Sequence, residues 1–517
     1  MGRLASIGDP PCTDGRCAIR PLMDILKRPE PKVHMIRPSN PGISAALVLI
    51  IVTNVATAQG DRAAAMRAIE GKQEHYASVA RRIWDLAEVG YQETESSALL
   101  QSELRGAGFT IQAGVAGMPT AFVATAGNGN PVIGILAEFD ALPGITQSDS
   151  PERDALAHKA AGHACGHHLF GTGSVAAAIA VKEWLARSGG RGTIRLYGTP
   201  AEEGGAGKVY MVREGLFRDV DVVLHWHAAD RNDASPGNSL ANKSAKFRFH
   251  GVSAHAAASP ERGRSALDGV EAMNHMVNLM REHVQEDTRI HYVITQGGSA
   301  PNVIPDFAEV FYYVRHPDPK QVAELFARVV KASEGAALGT ETRVEHEVIH
   351  GIYAMLPNDT LGRIMDRNMR AVGGVTYSPD ERAFAERLRK SLPADAPPIE
   401  RAAQIEAFGI KEAGGSTDVA DVSWVVPTAG LRAATWVPGT PSHSWQAVAA
   451  GATSIGVKGM IVAAKTLTQT AIDLFTTPAL VEAAKAEYRR RVGPDFSYTA
   501  LVGDRAPPLD YRKKGDG

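Results

Sequence analysis

The amino-acid sequence predicts an α/β protein in two parts. A larger domain has a central, largely parallel sheet with helices on both faces, and a smaller α+β domain interrupts it. Three observations carry this. The runs VIGILA (132–137), TIRLYG (193–198) and DVVLHW (221–226) are apolar without alternation and bounded by Gly, Pro and polar residues, as strands covered on both faces are. A helical stretch at 171–186, GTGSVAAAIAVKEWLA, lies between the first two, and strand–helix–strand is the pattern of a parallel sheet. From about 243 the texture changes to alternating strands, KFRFHG and EVFYYVR, with helices at 265–284 and 319–336 and a strand VEHEVI at 344–349; the α/β texture returns after Ala413, with a long helix at 459–474.

Taken in order, the chain opens on a leader. Residues 43–52, ISAALVLIIV, form an unbroken apolar run after Arg37, and Ala56-Thr57-Ala58 follows as a small-x-small site, the layout of a secretory signal peptide. The run is too short for a comfortable membrane span. This predicts export to a periplasm or the exterior with cleavage near Ala58, cytoplasmic residence being the alternative. Met35 is the more ordinary start, and N-terminal sequencing of the native protein reads both points directly. Apolar residues at helical spacing between Asp61 and Val89 predict an amphipathic helix, with a second at 97–106. The boundaries that follow are a leader at 1–58, the larger domain at 59–241 and 354–500, the smaller domain at 242–353, a surface insertion near 379–411 and a flexible tail at 501–517.

At 517 residues the chain is too long for one compact core. With 44% hydrophobic and 22% charged residues it is neither a disordered chain nor a polytopic membrane protein. A formal net charge of −2 gives no electrostatic reason to expect nucleic acid as a partner. Three cysteines exclude a disulfide scaffold, and only Cys165 survives removal of the leader, because Cys12 and Cys17 precede Ala58.

In open α/β sheets ligands bind at the carboxyl ends of the strands. VIGILA runs into Glu138-Phe139-Asp140, TIRLYG leads to Glu202-Glu203, and DVVLHW ends beside His225 and His227. The loop GHACGHH (162–168) precedes the helix expected from about 171, and PGTPSHSW presents His443. If GHACGHH is extended, His163, Cys165 and His167 share a face. Thiolate, imidazole and carboxylate are the zinc ligand set. Adjacent Glu202 and Glu203 in one buried site need different roles, one on a cation and one as a general base.

The motifs AEFDAL, GHACGHHLFGTGS, EEGGAGKVYMVREG, SAHAAASPERGRSALD, PNVIP, GGSTDVADVSW and TPSHSWQ resemble those of the metal-dependent aminoacylase/carboxypeptidase superfamily, in its amidohydrolase branch and closest to its aminobenzoyl-glutamate group. The resemblance runs from about Ala64 to Val492. It implies two divalent metal ions, zinc first and manganese as the alternative, held by Cys165, His167, Glu203, His227 and His443, with Glu202 as general base. Asp140 and His168 would support the ligands from behind, His163 would be supporting or structural, and His225 is the weaker of the two strand histidines. The smaller domain resembles a lid that forms the dimer interface. Its His255 would reach the partner's active site and stabilise the oxyanion. Asn302 and Arg315 would contact the substrate's carbonyl or carboxylate, a surface salt bridge being the alternative for Arg315. The implied reaction is hydrolysis of the amide bond of an N-acyl amino acid, p-aminobenzoyl-glutamate-like, or of a short peptide conjugate. The assembly would be a homodimer or a heterodimer with a related subunit. A non-catalytic binding subunit is the rival reading, against which the intact Glu202 and full ligand set argue.

Overall fold

The computed structural model describes residues 62–410 and 415–512. The leader, with Arg37, the 43–52 run, Ala58, Met35, Cys12 and Cys17, lies outside the described residues.

Helices α1 (62–71), α2 (Gln73–Leu86) and α3 (Thr94–Gly106) open the described chain. The strands of the first half are β1 (Thr110–Ala113), β2 (Phe122–Asn128), β3 (Val132–Ala137), the two-residue pair β4 (Leu142–Pro143) and β5 (Ala161–Gly162), β6 (Gly192–Gly198) and β7 (Val222–Ala229). Helix α4 (His167–Ser188) connects β3 to β6, and α5 (Gly207–Arg213) lies between β6 and β7. With β12 (Thr428–Ala434) they form a six-stranded sheet in the order β1-β2-β6-β3-β7-β12. The strands β6, β3, β7 and β12 run parallel, and β2 and β1 close one side antiparallel. Every residue of β3 is buried, so both faces of the sheet centre are covered. From β3 the chain crosses to β6 on one side and then to β7 on the other, which makes the carboxyl end of β3 the switch point. Helix α4 is apolar enough to cross a membrane, yet 83% of its apolar window is buried inside the protein.

The smaller domain is a four-stranded antiparallel sheet, order β11-β8-β10-β9. It comprises β8 (Ala241–His250), α6 (Ala266–Met280), β9 (Arg289–Gln296), β10 (Phe307–His316), α7 (Pro319–Thr340) and β11 (Arg343–Ile352). Along β10 the even-numbered residues 308–316 are buried, with Val310, Tyr312 and Val314 in this domain's own core with Val270 of α6 and Val329 of α7; the odd-numbered ones are partly exposed or polar. The chain then returns through α8 (Asp359–Val372), α9 (Pro379–Arg389), α10 (Val419–Ser423), α11 (Trp445–Gly451), α12 (Ser454–Thr476) and α13 (Pro478–Val492).

The structure corrects four sequence expectations. Helix α4 begins at His167, four residues before the expected start, so the Cys165–His167 stretch is a turn into a helix. Strands β1, β2, β9 and β12 and the short pair β4–β5 add to those expected from the sequence. Residues 379–411 are no surface insertion: Ala385, Leu388, Ile399 and Ala402 join the main core. Its helix carries a full capping box, in which Ser378 and Glu381 cap each other's backbone and Pro379 sits at the first turn, so Ser-Pro-Asp-Glu was the readable signal. The tail is not free either, since Ala500, Leu501 and Val502 are buried and residues as far as Arg512 make hydrogen bonds.

Asp421 of α10 ties the lid's exit to the segment that leads into this tail. It accepts from the Tyr498 hydroxyl at 2.7 Å and from the Tyr353 N–H at 3.0 Å. Burial raises its pKa from 3.8 to about 7. The folded state therefore holds the proton more tightly than the unfolded state. The stabilisation is complete below about pH 3.8 and is lost as pH rises through about 7. We expect the Asp421 contribution to make the wild-type unfolding free energy fall between about pH 4 and 7, and Asp421→Asn to flatten that slope; an equal slope in both, measured by denaturant unfolding, would discount Asp421.

Candidate active site

Four connections converge at the switch point. The first leaves β3 into Glu138 and Asp140, both about 1% exposed. The second is the turn into α4. Gly166 has φ +77°, and a Cβ there would stand 2.4 Å from the Ala228 Cβ, so only glycine lets this turn lie against β7. The turn leaves Cys165 just before, and His167 at, the first residue of a 22-residue helix. The third connection carries Glu202 and Glu203 between Ala201 (φ +56°) and Ala206 (φ +57°). Left-handed alanines each cost about 1–3 kcal/mol and persist only where surroundings over-determine them. Glu93 supplies part of that hold by accepting from the Ala201 N–H at 2.9 Å. The fourth is the loop before α11, where His443 is itself left-handed at φ +60° and donates its N–H to the Ala164 carbonyl. Ser444 caps α11 through the Ala447 N–H and so fixes where that loop ends.

The donor atoms fall into two overlapping sets. Cys165, His167 and His227 offer ligand atoms within 4.8 Å of one another, and so do Cys165, Glu203 and His443. Cys165 belongs to both. A third set, Glu138, His167 and Glu202, adjoins them. His227 Nδ1 donates to the Ala228 carbonyl at 2.8 Å, which leaves Nε2 facing Cys165 Sγ at 3.5 Å. His167 Nδ1 donates to Asp140 Oδ1 at 2.8 Å, leaving its Nε2 as the second free imidazole nitrogen. The other Asp140 oxygen accepts the Glu203 N–H at 2.9 Å. His443 Nε2 lies 3.1 Å from Glu203 Oε1.

These residues fit metal ions. His167 Nε2 and Glu203 Oε1 are buried and make no well-formed hydrogen bond, although a Glu138 oxygen lies 3.1 Å from the nitrogen and His443 Nε2 3.1 Å from the oxygen. Burial holds the Cys165 thiol well above its usual pKa, so a neighbouring cation is what would make it a thiolate. Burial, aided by His167, lowers His227 to about 4, which keeps it neutral and able to ligate. Burial and the nearby Glu138, Glu203 and Asp418 carboxylates raise Glu202 well above the ordinary glutamate range. Among the described residues, the cation set into this wall is Lys208, fully buried, 2.7 Å from Glu138 and 2.8 Å from Asp418.

The remaining expected residues lie elsewhere. His163 does not share a face with Cys165 and His167: its Nε2 bonds the Ile83 carbonyl and its ring packs 4.9 Å from His168. His168 in turn bonds the Gly451 carbonyl at 3.0 Å, so it braces α4 against α11. His225 is in none of the donor sets. His255 and Asn302 meet at one exposed rim of the lid, joined by the Ala256 N–H to the Asn302 carbonyl. Arg315 is on the odd-numbered side of β10, with its guanidinium 5.4 Å from the Tyr313 ring and its Nε lacking a hydrogen bond. The sequence marks Glu138 as a strand-end carboxylate but gives no role to Lys208 or Asp418. The usable signal was a lysine and an aspartate inside the otherwise small and apolar motifs EEGGAGK and GGSTDVADVSW.

Two substitutions test the donor sets. Cys165→Ala is expected to lower metal content, since it removes the atom common to both, and unchanged stoichiometry by elemental analysis would reject the assignment. Asp140→Ala, which frees the His167 ring and the Glu203 backbone, is expected to weaken metal binding by roughly 10–100-fold.

Comparison with known proteins agrees with this chemistry. Residues 241–341 match the family model described as the peptidase dimerisation domain. The chain is 40% identical to a subunit of the p-aminobenzoyl-glutamate hydrolase of Escherichia coli over 450 residues, 82% of this chain and 94% of that protein. It is 29% identical to the Xaa-Arg dipeptidase of Mus musculus over 88% of this chain and 96% of that one. Its fold matches a dinuclear metal-binding peptidase of the M20 family from Bacillus subtilis, with a TM-score of 0.54 at 17% identity, covering 79% of this chain and 99% of the other. It likewise matches an aminobenzoyl-glutamate utilization protein from Klebsiella pneumoniae, with a TM-score of 0.54 at 19% identity, over 79% and 97%. With donor residues, lid and near-full-length sequence identity all in agreement, the chain belongs to the M20 peptidase family and is one of its metal-dependent amidohydrolases.

Proposed function

We propose that this enzyme hydrolyses the amide bond between an acyl group and an amino acid, with p-aminobenzoyl-glutamate as the leading candidate substrate, using two divalent ions. The observation that carries the reading is the pair of donor triplets sharing Cys165, with Glu202 beside them. The thiol among the donors favours zinc, and manganese is the alternative. The substrate choice follows the Escherichia coli relative. The Xaa-Arg dipeptidase relative favours a second reading, a broader hydrolase of N-acyl amino acids and short peptide conjugates.

When bound at these donors, divalent cations lower the pKa of a water and polarise a carbonyl. Glu202 accepts the water's proton as the water oxygen bonds to the carbonyl carbon, and returns it to the leaving nitrogen as the C–N bond breaks. In the lid, His255 Nδ1 accepts the Ala257 and Ala258 N–H groups at 3.2 and 3.1 Å. Its neutral ring therefore carries the proton on Nε2, as a donor for a carbonyl oxygen gaining negative charge. Arg315 offers a guanidinium for the substrate carboxylate, and Asn302 lies on the same rim as His255. Because His255 is exposed and outside the metal-donor sets, the reading includes a second copy or a related subunit, with His255 of the partner subunit completing the site. The lid surface fits such a partner: β9 is an edge strand of the lid sheet and exposes Tyr292, Val293 and Ile294.

Glu202→Ala is expected to lower kcat by roughly 10²–10⁴-fold with metal content unchanged; retained turnover would remove Glu202 as base. A panel of p-aminobenzoyl-glutamate, other N-acyl amino acids and dipeptides ending in arginine, presented to metal-loaded enzyme, decides between the two substrate readings. Val293→Glu, which puts charge on the exposed edge of β9, is expected to lower the dimer fraction and turnover together. A fully active monomer by light scattering would take the partner out of the reaction.

A further inference from the structure

We propose that residues 504–512 form a strap whose Tyr511 and Arg512 are positioning residues for the Glu202-Glu203 loop. The inference rests on the reading of Glu203 as a metal ligand. Glu203 is gripped through its backbone from two sides. Its N–H donates to Asp140, and its carbonyl accepts from the Tyr511 hydroxyl at 3.0 Å and from Arg512 Nη2 at 2.9 Å. The tyrosine has a made place: a Cβ on Gly90 would lie 2.3 Å from the Tyr511 Oη and 2.9 Å from the Ala201 Cβ, so the glycine is what admits the phenol. The Tyr91 ring packs edge-on at 5.7 Å from Tyr511, while the Tyr91 hydroxyl donates to the Gly205 carbonyl of the same loop. The Arg512 guanidinium lies 4.9 Å from the Tyr511 ring.

The other end of the strap is fastened to the lid. Arg505 donates to the carbonyls of Val348 and Ile349 on β11, and Arg213 donates to the Gly503 and Arg505 carbonyls. Gln92 holds the middle through the Leu509 carbonyl at 2.7 Å. Upstream, Leu501 is seated against Gly351 of β11, where a Cβ would meet it at 2.8 Å. A single short segment therefore joins β11, the last strand of the lid, to the carbonyl of Glu203. The loop it holds is bracketed by left-handed Ala201 and Ala206, a conformation that depends on such outside bonds. The side chain of Glu203 points to His443, so a shift of its peptide moves the donor set built on Cys165, Glu203 and His443.

The test uses the full chain carrying Tyr511→Phe with Arg512→Gln, the single Tyr511→Phe, and Arg512→Lys, each titrated with zinc against a competing chelator beside wild type and Cys165→Ala. The double variant is expected to bind zinc roughly 10–100-fold more weakly, as loss of groups that orient ligands does. Its kcat is expected to fall more than its KM changes, while Arg512→Lys recovers part of the loss. Tyr511→Phe keeps the ring in its pocket, so it reports on the hydroxyl alone and is expected to show a smaller loss of the same kind. Zinc affinity and kcat within twofold of wild type in the double variant would overturn the strap. Wild type that binds no zinc would instead overturn the metal-site reading itself, and the two failures are thus distinguishable.

Discussion

The site depends on one carboxylate. Asp140 accepts from His167 Nδ1 with one oxygen and from the Glu203 N–H with the other. The first bond aims the imidazole, and the second fixes the peptide of a residue that arrives from a different strand. Each of the two donor triplets contains one of these residues, and Cys165 is common to both. Rigidity of a metal site comes from such groups behind the ligands, because a histidine whose far nitrogen is free can rotate away.

That bond is embedded in a wall of negative charge. Glu138, Asp140 and Asp418 are almost fully buried, and Glu202 and Glu203 stand beside them. Isolated buried carboxylates would shed their charge by taking protons, and burial with mutual repulsion does raise Glu202 and Asp418. Lys208 offsets part of the excess by pairing with Glu138 and Asp418. The rest of the excess is a physical reason for divalent cations at this place, independent of any resemblance.

The lid meets different demands. Its buried side is an ordinary apolar core on α6 and α7, whereas Arg315, His255 and Asn302 lie on partly exposed or exposed positions and belong to none of the metal-donor sets. Its edge strand β9 presents apolar residues that a solitary domain would normally cover or charge. The exposure of His255 and Asn302, outside every donor set, is what makes a second subunit part of the proposed chemistry.

The sequence by itself determined the fold class, the interruption by the lid, and the residue types at the strand ends. Strand burial and helical spacing are local signals, and motifs such as GHACGHHLFGTGS and EEGGAGK carry chemistry in a few adjacent residues. It also held a missed local signal, the Ser378–Glu381 capping box in a stretch read as an insertion. Only the tertiary structure decided which histidines converge. His163 and His167 are four residues apart, yet the turn into α4 sends one to the Ile83 carbonyl and the other to Asp140. Only the fold brings Lys208 to Asp418 and Tyr511 to Glu203, over 210 and 308 residues of sequence. Contacts across such distances leave no periodicity in the chain, because each partner is an ordinary lysine or tyrosine until packing removes its water and leaves the other as its hydrogen-bond partner.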